Sequence, residues 1–251
     1  MSELAIVDLH LSFGESQIAC GLSLNVEPGE VVSVLGPSGC GKSTLLKVLT
    51  GEVHAQSGEV LFRGRKVTQD DAVFALMPQR DALMPWRSIL DNAILGLEVN
   101  GVARKAARSS VLTTMREFGL EGFEHHYPEQ ISGGMRQRAA LLRTIAVERP
   151  IILLDEPLGA LDALTRIQMQ RWFERRWMEK SWTAILITHD VREAVTLSDR
   201  VYVLSRRPTK VIHEIKIALP RPRTDKPVSV QASEYETEIL DILVSERGNL
   251  P

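Results

Sequence analysis

A glycine-rich loop at residues 36–44 constrains the fold of this chain more than any other segment. The loop reads GPSGCGKST and fits the pattern G-x-x-x-x-G-K-[ST], in which successive backbone N–H groups turn toward phosphate oxygens. A Val-rich run over residues 30–35 predicts a strand before it, and the apolar spacing over residues 42–49 predicts a helix that Gly51 ends. Such a helix presents the positive end of its dipole to the same anion. We therefore expect a strand–loop–helix unit that binds a nucleoside triphosphate.

The pattern assigns a chemical role to each residue type in this loop. Lys42 should reach the β- and γ-phosphates, and the hydroxyl of Ser43 should ligate Mg²⁺. Glycines allow the backbone to bend closely around the phosphates, because they have no side chain in the way. The residues expected to bind the nucleotide here are Gly36, Pro37, Ser38, Gly39, Cys40, Gly41, Lys42, Ser43 and Thr44.

A second motif, IILLDE at residues 151–156, ends in two acids. Four consecutive aliphatic residues leave no polar face, which predicts a strand buried on both sides. Beside a phosphate-binding loop, a strand that delivers two acids at its C-terminal end resembles a Walker B motif. Asp155 is then expected to hold Mg²⁺, and Glu156 to polarise the water that attacks the γ-phosphate. A strand that simply ends in surface acids is the alternative.

A third motif, SGGMRQ at residues 132–137, precedes a helical run of apolar residues. Ser132 suits the N-cap position, and Gly133 and Gly134 leave the neighbouring backbone N–H groups unobstructed. The motif therefore predicts a second anion site in a chain that already carries one. An ordinary capped helix with a flexible entry is the alternative for this pattern.

The bulk composition excludes several classes of protein. The chain has 251 residues, of which 44% are hydrophobic and 25% charged, as in ordinary soluble domains. A net charge of −2 offers no basic excess, so no nucleic-acid partner is expected. Cys20 and Cys40 are too few for a disulfide framework. No signal peptide is visible, and the apolar runs are far shorter than the roughly 18–20 residues of a membrane span, so a membrane role would need a partner.

Strand and helix signals alternate along the chain, which favours a mainly parallel sheet covered by helices on both faces. Residues 88–147 are rich in Ala, Leu, Arg and Glu with helical spacing, which predicts a helical subdomain inserted into this α/β core. We expect one domain over residues 1–215 and a short tail over 216–251 with a helix near 233–243. The other predicted strands cover residues 4–13 and 18–26, which form an antiparallel N-terminal portion, and 59–63, 72–77, 183–187 and 201–204. The other predicted helices cover residues 161–180 and a segment that starts at Asp190.

Together the motifs resemble the nucleotide-binding subunit of ATP-binding cassette (ABC) transporters, over residues 1–215. The resemblance implies the ABC type of P-loop NTPase fold, with ATP and Mg²⁺ as ligands. Gln79 resembles the Q-loop glutamine, which contacts Mg²⁺ and the attacking water, and LGALD at residues 158–162 resembles the D-loop. His189 resembles the switch histidine that contacts the γ-phosphate, and Phe13 stands where the family places an aromatic ring against adenine.

The resemblance thus assigns the site residue by residue. Catalytic roles fall to Lys42, Gln79, Glu156 and His189, and Mg²⁺ ligation falls to Ser43, Gln79 and Asp155. Nucleotide contacts outside residues 36–44 fall to Phe13, Gln79, Ser132, Gly133 and Gly134. Two positions depart from the family pattern. Met135 stands where the family most often has Gln, so a side-chain role there does not carry over, and Phe13 replaces the commoner Tyr.

The family arrangement also implies partners. In a head-to-tail homodimer, residues 132–134 of one chain cap the γ-phosphate held by Lys42 of the second copy. Residues 79–92 combine Leu83, Met84 and Trp86 in a region expected to be exposed, and in the family this region receives a short helix of the integral membrane permease. The alternative is that Trp86 only packs inside the helical subdomain.

The same segment narrows the subfamily. LMPWR followed by DN, together with LGALDALTR at residues 158–166, resembles the nitrate/sulfonate/taurine group of bacterial importers, which includes transporters of thiamine pyrimidine precursors. This implies a peripheral subunit at the cytoplasmic face of the cell membrane, in a system whose extracytoplasmic binding protein selects the solute. The transported substrate stays open. A soluble ABC ATPase that is not coupled to a transporter is the main alternative, and a P-loop kinase would leave residues 132–134 unexplained.

Overall fold

The computed structural model describes residues 2–68, 71–225 and 229–248. The strands are β1 Leu4–Phe13, β2 Ser16–Val26, β3 Val31–Leu35, β4 Ser57–Phe62, β5 Arg65–Lys66, β6 Phe74–Met77, β7 Ile151–Asp155, β8 Thr183–Ile187, β9 Arg200–Leu204 and β10 Val211–Lys216. The helices are α1 Lys42–Leu49, α2 Ile89–Ala93, α3 Leu95–Val99, α4 Arg104–Glu117, α5 Gly133–Ala146, α6 Ala163–Lys180, α7 Val191–Leu197 and α8 Val230–Gly248. A short 3₁₀ helix, Pro128–Gln130, precedes α5.

The strands form two sheets that share one apolar core with α1. The four-stranded sheet has the order β2-β1-β4-β5 and is antiparallel. The six-stranded sheet has the order β10-β9-β3-β8-β7-β6, in which only the β10–β9 pair is antiparallel among the described strands. Buried residues of both sheets and of α1 belong to one hydrophobic cluster. The prediction of a mainly parallel core with an antiparallel N-terminal portion is confirmed.

The central strands are apolar on both faces because both faces are covered. All five residues of β3, β7 and β8 are buried. Alternate residues of each strand point to opposite sides of the sheet, and they enter different apolar clusters. This explains why these strands read as continuous hydrophobic runs, as expected for parallel strands between helices or a second sheet.

Helices α2 to α5 occupy the stretch for which the sequence predicts helical structure. Their apolar faces join the cluster on one side of the six-stranded sheet, which also contains α6. The ring of Phe118, just after α4, meets Trp172 of α6 edge-on at 4.5 Å between centroids. The division of the chain at residue 215, and the treatment of residues 88–147 as a subdomain, stay predictions.

The C-terminal region differs from its prediction in two respects. β10 is an edge strand that pairs antiparallel with β9, and no strand was predicted there because Ile215 is its one buried residue. Helix α8 is longer than the predicted 233–243, and Ile239 on α8 is fully buried against α7 and the adjacent strands. Within the described ranges, no helix combines the length and apolar character that a membrane span needs.

Helix α7 buries a carboxyl group. Its N-cap, Asp190, accepts a hydrogen bond from the backbone N–H of Glu193, and the Glu193 side chain turns inward with 4% of the residue exposed. The hydroxyl of Thr188 donates to one carboxyl oxygen, and the other oxygen, Oε1, has no hydrogen-bond partner among the described residues. Burial is the main reason that the pKa of Glu193 rises from 4.5 to about 7, which the Thr188 hydrogen bond opposes and the charge of Asp190 assists.

This raised pKa predicts how stability depends on pH. Between pH 4.5 and about 7 the folded chain keeps a proton on Glu193 that the unfolded chain has lost, so the free energy of unfolding falls as pH rises through this window. Glu193→Gln keeps a partner for Thr188 and removes the ionisation. We expect the variant to be about 3 kcal/mol more stable than the wild type at pH 8, a difference that vanishes near pH 4.5.

Urea unfolding at pH 5 and pH 8 measures this difference. Glu15→Gln, at an exposed carboxylate in the β1–β2 turn, is the matched control and should leave the pH dependence unchanged. An identical pH dependence for the wild type and Glu193→Gln would contradict the prediction.

Candidate functional site

The predicted phosphate loop lies between β3 and α1, as its sequence requires. Gly41 has a φ of 125°, and a Cβ there would lie 2.9 Å from Cγ2 of Ile18. A Cβ at Gly36 would lie 3.0 Å from Cβ and 3.1 Å from the carbonyl oxygen of Leu204. Neither position has room for a side chain, so these two glycines allow the loop to pass closely over β2 and β9.

The ammonium group of Lys42, which is expected to bind phosphate, donates hydrogen bonds to backbone carbonyl oxygens of the phosphate loop. Its Nζ lies 2.7 Å from the carbonyl oxygen of Gly36 and 3.0 Å from that of Pro37. Helix α1 begins just here, and no side chain in the described part of the chain caps its first turn. The N–H groups of that turn and the Lys42 ammonium therefore converge on one small volume, where an anion can accept from both.

Asp155 ends β7 beside this loop. Only 6% of the residue is exposed, and the hydroxyl of Ser43 is a hydrogen-bond partner of its carboxylate. Burial raises the pKa of Asp155, the hydrogen bond from Ser43 opposes the rise, and the charge of Glu156 adds to it. A buried carboxylate next to a hydroxyl offers the oxygen ligands that Mg²⁺ prefers, and a cation would offset the cost of burying the charge. The two side chains therefore fit the predicted metal.

Three of the predicted catalytic residues meet at Glu156. Its Oε2 accepts a hydrogen bond from Nε2 of Gln79 at 3.0 Å, and its Oε1 lies 3.3 Å from Nδ1 of His189. The reason is the strand order, because Gln79 follows β6, Glu156 follows β7 and His189 follows β8, and these are neighbouring parallel strands. Gln79 thus has a hydrogen bond with Glu156, and the contact of Gln79 with Mg²⁺ stays a prediction.

The backbone at Glu156 is held in an uncommon conformation. Its φ is 51°, in the left-handed region, which side-chain-bearing residues adopt at a cost of order 1–3 kcal/mol. Its N–H donates to the carbonyl oxygen of Ile187 at 2.8 Å, which ties the turn to β8. Its own carbonyl oxygen accepts from Nε2 of Gln137 at 2.9 Å and from the N–H of Gly159 at 3.2 Å. These bonds keep the carboxylate directed toward Gln79 and His189.

Gln137 is a residue of the candidate site to which the sequence analysis assigned no role. It lies on α5, is buried, and connects two loops, because its Oε1 also accepts from the N–H of Ala160 at 2.9 Å. A signal was present in the helix periodicity. Gln137 shares one face of α5 with the buried Leu141 and Thr144, so a polar residue there needed a polar partner.

Residues 132–134 lie at the start of α5, where Ser132 and Gly133 are exposed and Gly134 is half-buried. Ser132 is the N-cap, and its hydroxyl accepts from the N–H of Met135 at 3.2 Å. Among the described residues, no hydrogen bond of Ser132 reaches the phosphate loop of the same chain. The chain thus presents two separate groups of N–H donors, one at α1 and one at α5.

Phe13 ends β1, and 52% of the residue is exposed. It makes no ring–ring or cation–π contact with another described residue. A free aromatic face at this position is compatible with the predicted stacking on adenine, which stays a prediction.

Residues 20–159 match the family model described as ABC transporter. An aliphatic sulfonates import ATP-binding protein of Pseudomonas fluorescens is 40% identical, over 99% of this chain and 89% of its own. An uncharacterized ABC transporter ATP-binding protein of Methanocaldococcus jannaschii is 43% identical, over 90% of this chain and 84% of its own.

Solved structures show the same fold. A dimeric ATP-binding cassette bound to ADP and Pi, described as a post-hydrolysis state, superposes with a TM-score of 0.76 at 28% identity, over 86% of this chain and all of that one. A second structure of the same cassette, described as a dimeric bacterial ABC transporter cassette, superposes with the same TM-score at 29% identity and the same coverage. The family model, these relatives and the solved structures thus agree on one family and one fold. The chain belongs to the ABC transporter family and is an ATP-binding ATPase subunit of that family.

Proposed function

We propose that this chain powers uptake of a small solute as one half of a two-chain ATP clamp. The observation that carries the proposal is the separation of two half-sites within one chain. The contacts of Glu156 with Gln79 and His189 beside the phosphate loop suit a hydrolytic centre, whereas no hydrogen bond of Ser132 among the described residues reaches that loop. A second copy placed head to tail would bring its own residues 132–134 to the γ-phosphate. One related cassette is dimeric in two solved structures, which supports this arrangement.

The residues of one chain divide the work of phosphoryl transfer among them. Lys42 exchanges the carbonyl oxygens of Gly36 and Pro37 for phosphate oxygens, which are stronger acceptors because they are charged. Ser43 and Asp155 would hold Mg²⁺, which when bound offsets negative charge on the phosphates. Phe13 would stack against the adenine ring.

Glu156 is the proposed base. Its carboxylate lies at the carboxyl edge of the sheet, within hydrogen-bond reach of Gln79 and close to His189. Water held between these groups would give a proton to Glu156 as its oxygen bonds to the γ-phosphorus, while the bond from that phosphorus to the β–γ bridging oxygen breaks and ADP leaves. Gln79 and His189 would orient that water and the γ-phosphate, and N–H donors from the second copy would complete the anion hole and exclude solvent.

The relatives suggest what is transported. Several of them are named as import proteins for aliphatic sulfonates, including one from Mesorhizobium japonicum at 42% identity over 92% of this chain. We therefore place this chain at the cytoplasmic face of the cell membrane, in a sulfonate-type importer with a permease and an extracytoplasmic binding protein. Nitrate, taurine and pyrimidine precursors are the other solutes of the predicted group.

Residues 79–92 are the proposed permease contact, and the structure modifies this prediction. Trp86 is 72% exposed, so the interpretation that it packs only inside the helical region is wrong. Leu83 is buried, however, and Met84 is half-buried, so the expected apolar patch is largely Trp86 and Pro85. Asn92 shapes this loop, because its side-chain amide donates to the carbonyl oxygens of Met84 and Arg87 and accepts from the N–H of Met84.

Glu156→Gln tests the catalytic base. An amide keeps the shape of the side chain but cannot accept the proton, so we expect ATP binding within about twofold of wild type and turnover lower by about 10²–10⁴-fold. The ATP-bound form should accumulate as a dimer. Equilibrium binding and steady-state ATPase assays measure the two effects, and Glu148→Gln, at an exposed carboxylate, is the control. Wild-type turnover in Glu156→Gln would overturn the assignment.

Mixing two inactive chains tests the head-to-tail arrangement. Lys42→Ala removes the phosphate-loop charge, and Ser132→Arg blocks the second donor group, so neither variant alone can form an intact site. In an equal mixture one site of each mixed dimer is intact, and we expect about a quarter of the wild-type sites to be restored. A Lys42→Ala chain mixed with the double variant Lys42→Ala/Ser132→Arg forms no intact site and is the control. Sites built within single chains would show no recovery.

Transport of a labelled alkanesulfonate tests the proposed solute and the contact surface together. Cells that express the chain with its permease and binding protein should accumulate the label, and Lys42→Ala should abolish uptake. Because a buried tryptophan often contributes 2 kcal/mol or more to an interface, Trp86→Ala should lower uptake by about tenfold or more while ATP binding stays normal. Met178→Ala, at an exposed apolar residue of α6, is the matched control. Uptake of nitrate but not sulfonate would reassign the solute.

A further inference from the structure

Arg136 of α5 joins two loops that belong to different parts of the site. Its Nε donates to Oδ2 of Asp81 at 3.0 Å, and its Nη1 donates to the carbonyl oxygen of Ile131 at 3.1 Å. Asp81 lies two residues after Gln79, and Ile131 immediately precedes Ser132. One planar guanidinium therefore contacts the segment on the hydrolytic side and the segment that leads into the second donor group.

Arg143 supports the same connection from two helical turns further along α5. Its Nη1 donates to the carbonyl oxygen of Ala82 at 2.7 Å, and its Nη2 donates to that of Asp81 at 2.9 Å. Ala82 has a φ of 46°, so the chain turns sharply at the point where both bonds hold it. Burial lowers the pKa of Arg143, an effect that the charge of Asp81 opposes.

These contacts form a continuous path across the molecule. Gln79 contacts Glu156. Asp81 and Ala82 follow Gln79 in the chain, and hydrogen bonds from Arg136 and Arg143 attach them to α5. Beyond Ala82, the chain enters the loop that carries the exposed Trp86. Residues 79–82 are thus mechanically attached to the helix whose first turn presents residues 132–134.

We propose that Arg136 and Arg143 are positioning residues that link the loop after Gln79 to the donor group at residues 132–134. This role rests on the proposed two-chain clamp. When ATP, water or the permease displaces residues 79–86, the hydrogen bonds of the two arginines displace α5 as well. The N–H groups of residues 132–134, which bind the γ-phosphate held by the second copy, then move with α5. Neither arginine contacts the nucleotide of its own chain in this arrangement.

The partial exposure of the pair makes the proposal testable without loss of the fold. The side chains of Arg136 and Asp81 are 36% and 34% exposed, and ion pairs of this kind contribute little to stability. Arg136→Ala should therefore fold normally and lose its contacts with Asp81 and Ile131. Asp81→Asn is a milder second variant, because it keeps the size of the side chain and removes its charge.

The experiment uses the full chain in a Glu156→Gln background, where ATP-dependent dimers should persist. Sedimentation velocity gives the ATP concentration at which half the chains dimerise, and binding of a fluorescent ATP analogue to dilute monomer gives its Kd. We expect Arg136→Ala and Asp81→Asn each to raise the half-dimerisation concentration of ATP about tenfold, which corresponds to about 1.4 kcal/mol for each of the two ATP molecules in the dimer. The monomer Kd should stay within about twofold, because the phosphate loop is untouched.

The double variant Arg136→Ala/Asp81→Asn should be no worse than Arg136→Ala alone if the pair acts as a unit. Arg116→Ala is the matched control, because Arg116 pairs with Glu121 in the same helical region at 2.7 Å and contacts neither loop. Additive effects in the double variant, or normal dimerisation of Arg136→Ala in a parent that dimerises, would overturn the positioning role. A parent that fails to dimerise with ATP would instead overturn the two-chain clamp, and this role with it.

Discussion

The parallel pairing of four neighbouring strands is the constraint on which the rest of the site depends. β3, β8, β7 and β6 run in the same direction, and their register aligns Val34 with Ile187, Ile187 with Asp155, and Leu154 with Met77. The loops that follow all four strands therefore emerge at one edge of the sheet. Groups more than a hundred residues apart in sequence meet there, as ligands generally do at the carboxyl ends of parallel strands. Loss of this register would separate the phosphate loop from both acids.

Burial gives the groups at that edge their chemical character. Asp155 is buried at the end of a strand with no polar face, where burial raises its pKa and the hydrogen bond from Ser43 only partly opposes the rise, so a cation would stabilise the charged carboxylate. Glu156, one residue later, turns back through a left-handed conformation and reaches the more open side of the same edge. Two adjacent carboxylates thus lie in different surroundings, which is the physical basis for the different roles proposed for them. Gln137 stabilises this turn from α5, so the hydrolytic centre and the second donor group share one helix.

Much of the site could be predicted from the sequence because its chemistry is local. A glycine-rich loop between a strand and a helix predicts a phosphate site, and two acids after an aliphatic run predict a metal ligand and a base. Neither prediction depends on where the strand lies in the sheet. The residues that sequence reasoning missed act over long sequence separations. Gln137 holds the carbonyl of Glu156, and Arg143 holds that of Asp81. The sequence around a helical glutamine or arginine does not indicate such hydrogen-bond partners, because they come close only when the helix packs against the rest of the chain. β10 was not predicted for a different reason. An edge strand needs only one buried face, and with one buried residue β10 has no clear hydrophobic pattern.

The glycine-rich loop at residues 36–44 illustrates the difference between what the sequence determines and what the tertiary structure determines. Sequence by itself determined that residues 36–44 have the pattern of a phosphate-binding loop, because the positions of Gly36, Gly41 and Lys42 specify backbone conformation and charge over nine residues. It also determined the fold class, because buried strands alternating with helices allow few other arrangements. Only the tertiary structure decided that Gln79 and His189 meet at Glu156, that Trp86 is exposed while Leu83 is buried, and that Arg136 bridges Asp81 and Ile131. These contacts depend on strand order and helix packing, which are set by the burial of apolar surface over the whole chain.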